Sequence, residues 1–62
     1  MFKVTTNAMP FSPTYDNAHD AIVCASHLCG DFKEDVIVTF PTGEEQTYRY
    51  EEGLILGYWT KL

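Results

Sequence analysis

Between Asp16 and Cys29 the apolar residues recur at three- and four-residue spacing, and nowhere else in the chain do they. On a helical wheel Ala18, Ala21, Ile22, Ala25, Leu28 and Cys29 share one face, with Asp16, Asp20 and His27 opposite. One amphipathic helix is therefore fixed within a chain of 62 residues. Its small alanines suit close approach to a sheet. Ser12 ahead of Pro13, then Thr14 and Asp16, supply residues able to cap its start. Gly30 stands where a left-handed residue would end it.

Outside that segment the period is two. Phe2, Val4 and Thr6 alternate with Lys3 and Thr5, as in a half-buried strand. Asn7, Pro10 and Pro13 punctuate a loop over residues 7–13. The run 35–40 is β-branched and aromatic, and Pro41-Thr42-Gly43-Glu44 has the composition of a turn. Residues 45–51 alternate again, Glu51-Glu52-Gly53 reads as a short hairpin loop, and residues 54–60 form a last strand or a short terminal helix. No repeat, linker or low-complexity stretch divides the chain, so residues 1–62 form one domain. The expected fold is α+β with the order β-α-β-β-β: one helix packed on a three- or four-stranded, mostly antiparallel sheet.

That architecture leaves a face to be covered. The strands supply apolar residues in both phases: Val36, Val38 and Phe40 against Ile37, and Leu54, Leu56 and Tyr58 against Ile55 and Trp59. One helix covers one face, and monomers seldom expose apolar patches beyond a few hundred Å². A second copy of the chain, a different protein, or the loop carrying Met9, Pro10 and Phe11 are the candidates for the other face.

Size and charge exclude several function classes. A domain this small buries only about 60% of its unfolded surface, which leaves little material for a deep catalytic cleft. The net charge is −5, with only Lys3, Lys33, Arg49 and Lys61 as bases. Direct binding to nucleic acid or an anionic membrane needs a basic surface that four scattered residues do not build. The acids concentrate late: Asp31, Glu34, Asp35, Glu44, Glu45, Glu51 and Glu52 lie beyond residue 30, against Asp16 and Asp20 before it. Such a distribution either serves solubility and edge protection or steers the chain toward a basic surface on another protein. No apolar run approaches the roughly 20 residues of a membrane-spanning helix. Met1 to Thr6 lacks the apolar core and cleavage site of a signal peptide. Two cysteines are too few for a disulfide scaffold. A reduced, cytoplasmic protein with no cofactor is expected.

Asp20, Cys24 and His27 fall on one helical stripe and contain the groups for a Zn²⁺ site or an activated thiol. Three ligands on one helix do not complete a structural zinc site, and His27 also suits the helix dipole with no catalytic role. Cys24 is expected exposed and Cys29 in the core; at about 140° around the wheel the two do not bridge. The adjacent carboxylates at Glu34-Asp35, Glu44-Glu45 and Glu51-Glu52 point apart into water at turn ends, so acid–base catalysis is not implied.

The stronger candidate is an acidic and aromatic cluster. Glu44, Glu45, Glu51 and Glu52 bracket Tyr48, Tyr50, Tyr58 and Trp59. Tyrosine and tryptophan anchor interfaces at low cost in side-chain entropy, and carboxylates around them would suit a basic partner. Glu44, Glu45, Tyr48, Tyr50, Glu51, Glu52 and Trp59 are the partner-binding residues this pattern nominates; the alternative is that the aromatics are core.

In outline, the first strand, the helix beginning Asp16-Asn17-Ala18-His19-Asp20-Ala21-Ile22, and the hairpin Val36-Ile37-Val38-Thr39-Phe40-Pro41-Thr42-Gly43 followed by Tyr48-Arg49-Tyr50 resemble the short acidic proteins of bacteriophage genomes. Proteins of that kind act by binding and inhibiting a host enzyme or defence complex. The resemblance implies a non-enzymatic, protein-binding function in the host cytoplasm, against a basic host protein such as a nucleic-acid-binding enzyme. It rests on size, charge and element order and assigns no residue a role. The alternative function is a small homodimeric structural or accessory protein; a metal- or thiol-dependent site at Asp20, Cys24 and His27 is the third.

Overall fold

The computed structural model describes all 62 residues. The elements are β1 (Phe2–Thr6), β2 (Thr14–Tyr15), α1 (Ala18–Phe32), β3 (Val36–Thr39), β4 (Glu45–Glu51) and β5 (Leu54–Lys61). They form one antiparallel sheet in the order β2-β1-β3-β4-β5, with α1 packed on one face. The fold is α+β as expected, with five strands rather than three or four. The additional strand is β2, whose Thr14 and Tyr15 pair with Lys3 and Phe2 along the free edge of β1. Loop 7–13 runs out to that edge, where Pro13 accepts a hydrogen bond from the Val4 amide. Its Ser12 accepts a hydrogen bond from the Thr5 hydroxyl at 3.3 Å, at the β1 end of the second face, and its Phe11 stays exposed.

Helix α1 begins two residues later than the wheel suggested. Asn17 is its cap: the side-chain oxygen accepts from the Asp20 amide at 2.9 Å while the Asn17 amide group donates to the Asp20 carboxylate at 3.1 Å. This reciprocal pairing satisfies an orphan first-turn donor and places an acid at the positive end of the dipole. The helix also runs through Gly30, ending instead at Lys33, which takes the left-handed conformation and donates its N–H to Cys29.

The buried core is small. Ala21, Ala25 and Cys29, one helical turn apart, lie on Val4, Val36 and Val38, and the valines are the largest side chains fully excluded from water. Each buried valine contributes about 1.5 to 3 kcal/mol. Cys24 is half-buried against this core, not exposed. The thiol lies against the Tyr15 phenol and, with burial, raises that group's pKa. Thus α1 crosses the sheet from Tyr15 of β2 to Ile55 of β5, which lies beside Gly30. The larger apolar residues ring that footprint, with Phe2 edge-on to Phe40 at 5.1 Å and Phe40 against Trp59 at 5.2 Å.

Candidate interaction surface

Antiparallel neighbours directly opposite each other project to the same face. The register therefore divides the sheet. Facing α1 are Phe2, Val4, Thr6, Tyr15, Val36, Val38, Phe40, Gln46, Tyr48, Tyr50, Ile55, Gly57 and Trp59. On the other, open face Thr5, Ile37, Thr47 and Tyr58 form one row, Arg49 and Leu56 the next, and Glu51 and Leu54 the last.

Two features of this arrangement stand out. The first is β5, which forms one edge of the sheet and has every residue exposed. Leu54, Ile55, Leu56, Tyr58 and Trp59 keep between 41% and 64% of their surface in water, so half of the chain's ten exposed large apolar residues lie on this single strand. The second is the charge pattern of the open face. Lys3, Arg49 and Lys61 share it with Asp35, Glu45 and Glu51. Glu45 lies opposite Lys61, and Arg49 is 3.6 Å from the Asp35 carboxylate. The Tyr58 hydroxyl and then Asp35 hold the Arg49 pKa above its ordinary range.

The residues nominated from sequence are distributed rather than gathered. Tyr48 and Tyr50 are half-buried on the helix-bearing face and pack against the core. The Tyr48 hydroxyl donates to Gln46 at 2.9 Å, and burial raises its pKa. Lys33 lies 5.6 Å from the centre of the Tyr50 ring, in cation–π geometry. Trp59 sits on that same face but beyond the helix, 46% exposed. The glutamates form no ring around these rings. Glu44 and Glu45 lie at the start of β4, Glu51 and Glu52 at its end, about 20 Å apart along the strand. Glu44 is also tied to the Thr42 hydroxyl at 2.7 Å. The surface that unites exposed apolar groups is instead Leu54, Leu56 and Tyr58 with Ile37 behind them. Its signal was present in the apolar residues of both phases along 54–59, in a stretch with no charge before Lys61.

Asp20, Cys24 and His27 do not meet. Asp20 is held by the Asn17 cap, Cys24 turns to Tyr15, and no three metal-binding side chains converge anywhere in the structure. No helix is long and apolar enough to cross a membrane. Comparison with protein-family models, curated proteins and solved structures finds no match.

Proposed function

We propose that the chain is a non-enzymatic protein-binding module that grips another protein with its β4–β5 hairpin, as an inhibitor of a host enzyme or defence complex would. The observation that carries this reading is the concentration of exposed apolar side chains on β5 and the adjoining open face. Leu54, Leu56 and Tyr58 supply the anchoring area, and the glutamate pairs at the two ends of β4 meet basic groups on the partner. The overall charge of −5 adds steering toward a basic surface. The similarity in outline to short acidic phage proteins supports the choice of target class.

The test uses immobilised protein and bacterial lysate. A host protein retained in stoichiometric amount and released by salt is expected. Replacing Glu44, Glu45, Glu51 and Glu52 by glutamine should slow its association about tenfold or more at low ionic strength, the regime where steering dominates. An unchanged association rate for that variant refutes the electrostatic contact, and an empty column counts against the binding role.

A further inference from the structure

The hairpin joining β4 to β5 closes on the pair Glu51–Leu54 through Glu52 and Gly53, both at positive φ (50° and 82°). The closing pair of such a two-residue hairpin exchanges both main-chain hydrogen bonds, and bonded and non-bonded pairs then alternate along the ladder. Leu54, Leu56 and Tyr58 consequently direct their amides and carbonyls to β4. Those of Ile55, Gly57 and Trp59 point outward from the sheet, and none of the chain's loop or cap hydrogen bonds reaches them. The devices that blunt an edge, a bulge and a lysine, fall past Trp59, where the register slips between Gln46–Trp59 and Glu45–Lys61. Residues 54–59 are left as a plain apolar edge.

We infer that this edge pairs with the same edge of a second copy, antiparallel about a two-fold axis at Gly57. Only the register centred there engages all three outward residues of both chains: Gly57 opposite Gly57, and Ile55 opposite Trp59 twice. Each of these pairs exchanges two main-chain hydrogen bonds. The same register places Leu56 opposite Tyr58 of the second copy on the open face, so each face gains aliphatic–aromatic cross-strand pairs. The ends agree in charge as well. Lys61 comes alongside Gly53 of the second copy, next to its Glu52, and the two-fold repeats that attraction at the other end. The hairpin is thus acidic at its turn and basic at the far end of β5, so this edge is complementary to its own reversed copy, which is what selects a second copy as the occupant. Paired residues share a face, so both helices lie on one side and the two open faces join into one.

Of the four glutamates replaced above only Glu52 borders this edge, and the variants at Ile55 and Trp59 leave all four in place, so the two readings fail separately. Sedimentation of the intact chain over a concentration series, with amide exchange read by NMR, tests the pairing directly. A reversible dimer is expected, in which the amides of Ile55, Gly57 and Trp59 become protected at least tenfold as the dimer forms. Those of Leu54, Leu56 and Tyr58 are protected at every concentration. Ile55→Pro removes an outward N–H and no bond to β4, so it should remain folded and monomeric. Trp59→Lys, at an exposed position, should raise the dissociation constant at least tenfold and serves where the proline variant does not fold. A chain monomeric at millimolar concentration overturns the inference. So does a dimer with those three amides unprotected, which would mean sheets packed face to face, or protection that appears only when a different protein is added.

Discussion

Gly57 lies directly opposite Tyr48, and the ring of Tyr48 covers it. A Cβ at position 57 would come within 2.7 Å of Tyr48 Cε2 and 3.1 Å of Cδ2. Ordinary carbon–carbon contact begins near 3.5 Å, so the ring has to move by about 0.8 Å. It is not free to do so, because its hydroxyl is held by Gln46 and its body packs against the core. Overpacking of this kind costs about 1 to 3 kcal/mol. Tyr48 is half-buried and has one side open to water, which places Gly57→Ala toward the lower end, at about 1.5 kcal/mol. The glycine itself carries an opposite term: alanine reduces the entropy of the unfolded chain and contributes about 0.4 to 1 kcal/mol where strand geometry accepts it. In a Tyr48→Ala background the clash is gone and that term alone remains. Gly57→Ala should therefore destabilise the wild-type chain and stabilise the Tyr48→Ala chain, a change of sign. Urea unfolding followed by Trp59 fluorescence, at concentrations below any self-association, measures all four corners of the cycle. An equal cost of Gly57→Ala in both backgrounds would refute the steric account and leave the glycine to a backbone requirement.

Two further outcomes follow from the helix cap and the buried titrating groups. Asn17→Ala removes the oxygen that receives the Asp20 amide and should cost about 1 kcal/mol, lowering the melting temperature by roughly 4 to 8 °C; a change below a degree in thermal unfolding by circular dichroism would show that the cap is not engaged in solution. The Cys29 thiol is pushed above its ordinary value of 9.0 by burial and then by Asp35, and Tyr48 above 10.0 by burial. The folded state thus retains protons that the unfolded state releases, so stability is full below about pH 9 and declines as pH rises through the folded values. Urea midpoints from neutral pH to about 11 should fall, Cys29→Ala should remove the earliest part of the fall, and a flat wild-type profile would contradict the assignment.

Much of this architecture is carried by local pattern. The helix follows from the spacing of Ala21, Ala25 and Cys29, and the hairpins follow from alternation and from glycines placed where φ is positive. The boundaries were less legible, for identifiable reasons. Ser12, Thr14 and Asp16 all precede the helix and have side chains able to cap it. Asn17 prevails because Asp20 stands three positions on and answers it. Gly30 has the chemistry of a helix end, yet α1 continues because the next positions still find i−4 carbonyls and Lys33 adopts the left-handed turn itself. Strand β2 has no period to detect in two residues; it exists only because β1 presents an edge there. The candidate site divides in the same way. Apolar residues in both phases of 54–59 announced an uncovered surface, whereas the separation of the four glutamates depends on which residues are opposite in the hairpin.

The placement of charge connects the two proposed surfaces. On the open face Lys3, Arg49 and Lys61 offset Asp35, Glu45 and Glu51, three against three. The remaining acids are Asp16, Asp20, Asp31, Glu34, Glu44 and Glu52, six against Lys33, so the whole net charge of −5 resides on the helix and the turns. A neutral sheet face and a charge-complementary edge oppose no self-association, and a two-fold at Gly57 keeps both acidic helices on the same side of the extended sheet. That dimer brings Asp20 and Asp31 of both helices to one surface while it doubles the apolar open face on the other. A basic partner would be drawn by the field at long range but held by Leu54, Leu56 and Tyr58 at contact. Salt should then both slow the arrival of such a partner and weaken the glutamate contacts that help to hold it. Edge pairing rests on main-chain hydrogen bonds and apolar cross-strand pairs, with Lys61 and Glu52 only at its ends, so it should respond to salt far less.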